Sequence, residues 1–186
     1  MIEDVKLRHF LMDKLRIAGV VKIEIERSIN KIVIIIYVAR PGVVIGRGGQ
    51  GLENLKKEII NKLRQKPDDK KGIKIDLQIR EVKNADISAQ IALTKLEEML
   101  IKRYPHRRAV ASILDRIMNA GALGAKIMLS GRIDGAEISR REKSVRGSIP
   151  TQTLRADIDY AEKPALTKSG YVGIKIWVYR GEMETR

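Results

Sequence analysis

The feature that most constrains the fold of this chain is a cluster of four glycines within six residues, at positions 46, 48, 49 and 51. Pro41-Gly42 ends the apolar run before the cluster, and Leu52, Leu55 and Ile59 follow it at helical spacing. Glycines disfavour helix and strand interiors because they lose the most conformational entropy on folding. The pattern therefore predicts a tight loop that leads into an amphipathic helix.

Three of these glycines match the dinucleotide fingerprint G-x-G-x-x-G. A dinucleotide loop should directly follow a strand, but here Pro41-Gly42 and an apolar turn intervene. Asp76 also lies inside the next predicted strand and not at its end. No Gly-Lys-Ser/Thr follows at the spacing of a Walker A loop. We therefore do not expect a nucleotide cofactor at this loop.

The pattern I-G-x-x-G of KH domains describes the same loop better, with Ile45, Gly46, Arg47, Gly48 and Gly49 placed between two helices. Glycine backbone can approach a sugar-phosphate chain closely, and the next helix begins with unpaired N–H groups that suit phosphates. The arginine adds a bidentate phosphate donor. A plain capping turn would explain one glycine but not three beside an arginine. We predict that these five residues bind RNA, as KH modules clamp about four nucleotides.

The order of elements before residue 84 is typical of a type II KH domain. Helical spacing runs from Ile2 to Ala18, and two strands follow at 21–25 and 32–38 with a turn at Ser28–Asn30. A short helix, the glycine loop and a longer helix come next, then a polar loop at 66–72 and a third strand at 73–79. We predict a KH RNA-binding domain at 1–83.

The rest of the chain predicts a different domain. One helix covers 87–100, and a second begins with Pro105 in its first turn and is closed by Gly121 and Gly124. Four strands follow, at 125–130, 137–145, 153–160 and 171–179. We predict an α+β fold for the whole chain, in which residues 84–186 form two helices on a four-stranded, mainly antiparallel sheet.

The charge of the chain indicates a polyanionic partner. Lys and Arg total 37 against 23 Asp and Glu, a formal charge of +14, and both predicted domains are basic. A basic surface that serves only solubility is the alternative. With 1 Phe and 1 Trp, base stacking on an aromatic platform is implausible, so contacts to phosphate and sugar should dominate. Trp177 alternates within a strand and is expected in the core or half-buried.

Composition argues against most enzyme classes. Without Cys there are no disulfides, thiolate nucleophiles or Cys-ligated zinc, and the 2 His allow no His-rich metal site. We predict no catalytic residue, metal or cofactor, although lysines and carboxylates leave a nucleic-acid enzyme as an alternative. The longest apolar run, Ile32–Ala39, is far shorter than the ~20 residues of a membrane helix, so no membrane partner is expected. Acidic residues near the N-terminus fit no targeting peptide, which favours the cytoplasm or its organelle equivalent.

Two clusters of basic residues mark further candidate contacts. The first surrounds Pro105 and contains no acid: Lys102, Arg103, His106, Arg107 and Arg108. Cations are disfavoured at the start of a helix, so a bound polyanion is preferred there over a solvated helix end. The second mixes cations with Asp134, Glu137 and Glu142, and is either an RNA face or a salt-bridged strand surface: Arg132, Arg140, Arg141, Lys143 and Arg146. The aspartates at 157 and 159 are expected to pair with local arginines.

Six strings carry a family resemblance: RPGVVIGRGGQGLENLKKEI, VKNADISAQ, PHRRAV, SGRIDGAEISRRE, PTQTLRADIDYA and GIKIWVYRGE. Together they resemble the bacterial-type family of small-subunit ribosomal protein three, from about Val5 to Glu182. The resemblance implies a structural, non-enzymatic protein of the small-subunit head that binds the 3′ major domain of ribosomal RNA. Bacterial members usually carry an extra segment before the first KH helix, and this chain starts almost at that helix.

The resemblance also implies partners and roles. Neighbours would be ribosomal proteins ten and fourteen, and proteins four and five would share the tunnel where mRNA enters. Arg107 and Arg108 match family positions linked to mRNA unwinding, whereas Ala111 replaces a third basic residue. Arg40 joins the cations of both clusters as a candidate ribosomal RNA contact. The alternative function is a free KH-domain regulator of translation.

Overall fold

The structure, a computed structural model, describes residues 2–28, 31–63 and 74–183 of the chain. Its contacts divide the chain into two compact units, Met1–Ala85 and Asp86–Arg186. The domain bounds proposed from the sequence, 1–83 and 84–186, differ from this division by two residues. Each unit has its own buried hydrophobic cluster.

In its described residues, the first unit has three α-helices and a three-stranded sheet. The elements are α1 (Ile2–Lys14), β1 (Val20–Arg27), β2 (Lys31–Val38), α2 (Pro41–Ile45), α3 (Gln50–Leu63) and β3 (Lys74–Glu81). The strand order is β1-β2-β3, with β1 and β2 antiparallel and β2 and β3 parallel. The central strand β2 is the most buried, which explains why its sequence is a continuous apolar run.

This arrangement confirms the predicted order of elements in the first unit. The first helix ends earlier than predicted, at Lys14, and a 3₁₀ turn (Arg16–Ala18) follows, with Gly19 at a left-handed φ of 70°. The glycine permits the sharp exit from that turn into β1. The predicted loop at 66–72 lies outside the described residues, as does most of the predicted turn before β2.

The second unit places two helices on one face of a four-stranded sheet. Its elements are α4 (Ala89–Ile101), α5 (His106–Asn119), β4 (Gly124–Gly131), β5 (Arg140–Gly147), β6 (Ala156–Thr167) and β7 (Gly170–Glu182). The strand order is β5-β4-β7-β6, and every adjacent pair is antiparallel. The predicted fold class, α+β with this layered second half, is confirmed.

Side chains along β4 point alternately to the two faces of this sheet. Ala125, Ile127 and Leu129 are buried in the cluster that also contains the apolar residues of α4 and α5. Residues between them point to the opposite face, where Lys126 Nζ lies 4.4 Å from the centre of the Trp177 ring. Trp177 is half-buried there, as expected.

Three details of the predicted second unit were wrong. Pro105 precedes α5 as its N-cap and is not in its first turn. Gly124 does not close that helix but begins β4, where a Cβ would lie 2.1 Å from the Ser148 carbonyl oxygen. The strand predicted at 153–160 is β6, which runs from 156 to 167. It begins later and is longer than predicted because it pairs with β7 as far as Thr167 and Gly170. None of the helices in the described ranges is long and apolar enough to cross a membrane.

Candidate nucleic-acid interface

The predicted glycine loop is a sharply bent connection between α2 and α3. Gly46 ends α2 with a φ of 69°, and the next three residues form one 3₁₀ turn (Arg47–Gly49). Within that turn Gly48 and Gly49 also have positive φ angles, 62° and 81°. Most side chains other than Asn and Asp avoid this conformation, so the backbone path itself favours glycine.

The four glycines fall into two pairs with different physical roles. A Cβ on Gly51 would lie 2.6 Å from the Val44 carbonyl oxygen, and one on Gly46 would lie 3.2 Å from the Gly51 nitrogen. These two glycines let α2 and α3 pack closely. By contrast, a Cβ on Gly48 or Gly49 would meet nothing within 4 Å. The backbone of Gly48 is exposed and that of Gly49 is half-buried, and the space beside both glycines is open.

The electrostatics of the loop suit an anion. Arg47 and Arg40 are exposed, and neither forms an ion pair within the described residues. Helix α3 begins at Gln50, directly after the loop, and its N-terminal N–H groups carry a partial positive charge. Ile45 completes the predicted motif and is 39% exposed. Backbone donors and one free guanidinium thus lie on the same short segment.

The cluster around Pro105 lies at the junction of α4 and α5, which we call the α4–α5 junction (residues 102–108). The chain turns where Arg103 adopts a φ of 58°, and the Tyr104 N–H donates to the Met99 carbonyl oxygen at 2.9 Å. Four of the predicted side chains are exposed and, in the described part of the chain, form no ion pair: Lys102, Arg103, Arg107 and Arg108.

Many other cations of the molecule do have anionic partners. Lys163 Nζ lies 3.2 Å from a Glu97 oxygen, and Arg180 Nη2 lies 2.6 Å from Asp159 Oδ2. A hydrogen bond from Lys95 holds the pKa of the Asp86 carboxyl below its usual value. Four unpaired cations within residues 102–108 therefore distinguish the junction from these ion-paired positions.

His106 is buried, although the sequence grouped it with exposed basic neighbours. Its side chain is only 9% exposed, with Nε2 at 2.9 Å from a Glu142 oxygen and Nδ1 at 3.7 Å from Asp134 Oδ2. Neither contact has hydrogen-bond geometry, so both ring nitrogens are buried without a hydrogen-bond partner. The sequence of this basic cluster contains no acidic residue, but in the structure two carboxylates from distant positions lie beside His106.

The second predicted cluster divides between the two faces of β5. On the side of the helices, Arg140 Nε lies 2.9 Å from a Glu142 oxygen and Arg146 contacts Asp115. Arg141 and Lys143, on the opposite side, are exposed and have no ion pair among the described residues. Arg132, outside the strand, donates from Nε to the Ala136 carbonyl oxygen at 2.9 Å. Ion pairing thus occupies one face and leaves free cations on the other.

One polar residue that contacts the start of α4, Asp159, has a role that the sequence pattern did not suggest. Asp159 accepts a hydrogen bond from the Ala89 N–H at 3.0 Å, across 70 residues of sequence, as well as from Arg180. It therefore caps α4 from a neighbouring strand. The expected pairing with a local arginine is present, but the capping contact depends on how the helix packs on the sheet.

In the described residues no group of three or more His, Asp or Glu could hold a metal ion.

Two family models match this chain. The first describes a KH domain and matches residues 6–87, and the second describes the C-terminal domain of ribosomal protein S3 and matches residues 96–178. Among similar proteins, small ribosomal subunit protein uS3 of Clostridium acetobutylicum is 45% identical over 98% of this chain and 79% of the relative. The uS3 protein of Desulfitobacterium hafniense is 43% identical over 97% of this chain and 79% of the relative.

Proposed function

This chain belongs to the uS3 family of ribosomal proteins, and we propose that, as a structural component of the small ribosomal subunit, it binds ribosomal RNA and helps to form the site where mRNA enters. It is not an enzyme; its relatives are named as ribosomal proteins. Its place would be the 3′ major domain of the subunit head, beside proteins ten and fourteen. The compartment would be the cytoplasm or its organelle equivalent.

The observation that carries the proposal is the unpaired charge of the α4–α5 junction. Four exposed cations without an ion pair in the described residues lie within seven residues of the chain. Many other cations of the second unit form ion pairs with acidic residues. Arg107 and Arg108 also lie in the first turn of α5, where the helix dipole disfavours cations. Like charges at this position are stabilised when a polyanion is bound, and RNA phosphates provide that charge together with counterion release.

We propose that this same junction forms part of the site where mRNA enters. Arg107 and Arg108 would contact the mRNA backbone, with ribosomal proteins four and five forming the rest of the tunnel. Ala111, one turn further along α5, is half-buried and adds no charge. We therefore expect this protein to contribute to mRNA unwinding through two cations at this site.

The glycine loop and the remaining cations would bind ribosomal RNA. In the loop, residues 45–49 offer exposed backbone and Arg47 to phosphate and sugar groups. Further contacts would come from exposed cations in both units: Arg40, Lys102, Arg103, Arg132, Arg140, Arg141, Lys143 and Arg146. Of these, Arg141 and Lys143 are the most available on β5, because Arg140 and Arg146 already contact carboxylates.

Sedimentation of a cell lysate from the source organism tests the ribosomal role. The lysate is run on a sucrose gradient, and the protein is quantified by mass spectrometry in each fraction. We expect one copy per small subunit, retained through a moderate salt wash. Protein found only at the top of the gradient would contradict the proposal and favour a free KH-domain regulator of translation.

A further inference from the structure

The second unit contains a cavity of about 310 Å³ beside the α4–α5 junction. It is formed by the end of α4, the turn at 132–135 and the tight connection between β6 and β7. The polar residues that matter most at its wall are Arg103, Tyr104, His106, Arg132, Asp134 and Lys168. Its volume is at the lower end of the range of small-ligand sites, about 300–1,000 Å³.

The charge of this cavity favours a phosphate group. Arg103, Arg132 and Lys168 contribute three cations, and none of them forms an ion pair in the part of the chain that the structure describes. The Arg132 Nε bond to the Ala136 carbonyl oxygen orients that guanidinium and leaves its terminal N–H groups available. The lining contains a single carboxylate, Asp134, so the net charge of the wall is positive.

A second observation points to a ligand with hydrogen-bonding groups. His106 lines the same cavity and is buried; its Nε2 is occupied by the nearby Glu142 carboxylate at 2.9 Å, but its Nδ1 has no hydrogen-bond partner. A buried polar group without a partner costs free energy, which a suitable ligand can recover. Its Nδ1 faces the Asp134 carboxylate at 3.7 Å, and Asp134 lies in the turn Ile133–Gly135 with a φ of 59°. The imidazole and the carboxylate together form one polar edge of the cavity.

Tyr104 provides an aromatic surface at the same place. It is 47% exposed and lies between Arg103 and the start of α5. An exposed ring beside unpaired cations is the combination on which an unstacked base can bind.

We propose that this cavity binds one unstacked nucleotide of single-stranded RNA and selects its base. The phosphate would lie against Arg103, Arg132 and Lys168, and the base would stack on Tyr104 with its edge toward Asp134 and His106. Guanine is the preferred base because its adjacent N1–H and N2–H donors can both bond to one carboxylate. The inference rests on the proposed function for its ligand class, and adds base selection to a surface otherwise expected to read only phosphate and sugar.

The first experiment measures the affinity of the full chain for eight-nucleotide RNAs by fluorescence anisotropy. The probes are oligouridine and the same oligomer with one central residue changed to guanosine, adenosine, cytidine or an abasic site. We expect guanosine to improve the affinity about tenfold over oligouridine, and the abasic oligomer to bind no better than oligouridine.

The Asp134→Asn variant separates base selection from simple charge. Asparagine tolerates the positive φ of this position, so the turn should persist. Removal of a negative charge would by itself strengthen RNA binding, but we expect the guanosine advantage to fall below about twofold while oligouridine affinity is kept or improved. Glu137→Gln is the matched control, since it makes the same charge change at an exposed residue outside the cavity. Circular dichroism confirms the fold of both variants.

The outcomes distinguish this inference from the proposed function. Equal affinities for all five oligomers, with salt-dependent binding retained, would overturn the nucleotide pocket and leave RNA binding intact. A guanosine advantage that survives Asp134→Asn would also overturn it, because the selecting group would lie elsewhere. Absence of salt-dependent binding to any oligomer would contradict both the pocket and the proposed function.

Discussion

The glycine loop and the α4–α5 junction present different chemical groups at the surface of the molecule. In the loop the accessible groups are backbone, at Gly48 and Gly49, with a single arginine between α2 and α3. At the junction they are long cationic side chains on both sides of Pro105. As proposed RNA contacts, the loop would depend on the close approach of two backbones, whereas the junction would depend on charge density. The first is sensitive to added bulk and the second to lost charge and to salt.

The two regions also differ in how they are held. Helix α5 is anchored by a row of fully or nearly fully buried residues that includes Ala109, Ile113 and Ile117. The short helix α2 before the loop has one buried residue, Val44. The shape of the loop therefore depends on the glycines that allow α2 and α3 to pack closely. The shape of the junction depends on the buried residues that anchor α5.

The largest effect is expected when that helix contact in the loop is disturbed. Gly51→Ala places a Cβ 2.6 Å from the Val44 carbonyl oxygen, and we expect the free energy of unfolding of the first unit to fall by about 1–3 kcal/mol. Gly42→Ala is the control, because a Cβ there meets nothing within 4 Å. Urea unfolding followed by circular dichroism measures both. Equal stability of the two variants would show that the loop is not held by close packing.

Loss of charge at the junction should be the largest effect on RNA binding. For Arg107→Gln with Arg108→Gln, we expect affinity for single-stranded RNA to fall about tenfold at moderate salt, and the slope of log K against log salt to decrease by about 1.4, or 0.7 per phosphate contact. Lys6→Gln with Arg8→Gln removes the same charge from exposed positions of α1. If both pairs changed the slope equally, net charge and not the junction would control binding.

A smaller loss of affinity is expected from a charge placed in the glycine loop. Gly48→Asp puts a carboxylate into open space at a φ of 62°, which aspartate tolerates, so the fold should be kept. We expect RNA affinity to fall about three- to fivefold through repulsion of phosphates. Gly48→Asn has the same shape without the charge and should bind nearly as well as the original protein. Equal binding by the Asp and Asn variants would argue against phosphate contact at the loop.

The smallest effect concerns an ion pair that links α4 and α5 away from the junction. Asp86 contacts Lys95 of α4 at 2.5 Å and Arg116 of α5 at 3.6 Å, and hydrogen bonding to Lys95 lowers its pKa from the usual 3.8. Because these groups are partly exposed, Asp86→Asn should cost only about 0.5 kcal/mol at neutral pH.

The pH dependence of this variant follows from the direction of the pKa shift. A carboxyl whose pKa is lowered in the folded protein contributes stability above its ordinary pKa and loses it as the pH falls through the lowered value. The difference between Asp86→Asn and the original protein should therefore shrink as the pH falls below the ordinary carboxyl pKa, and vanish once the pH is below the lowered value. Urea unfolding at pH 7 and in acid measures it, with Glu137→Gln as an exposed control. A difference that persists in acid would mean that the aspartate acts by packing and not by charge.

Much of the fold could be predicted from local sequence because its signals are local. Apolar residues at helical spacing mark α3, α4 and α5, and alternation marks β1, β3 and β7. The end of α1 and the start of β6 were misplaced, since the first depends on a glycine that follows a 3₁₀ turn and the second on pairing with β7. The strand order β5-β4-β7-β6 likewise requires contacts between distant segments.

For the candidate sites, the sequence by itself determined where glycine and positive charge are concentrated, because both depend only on residue type and spacing. Tertiary structure decided which of these groups are available. It buried His106 between Glu142 and Asp134, and it paired Arg146 with Asp115 while leaving Arg107 free. The physical reason is that burial and ion pairing depend on distances in space, and packing brings together residues that the chain separates by tens of positions.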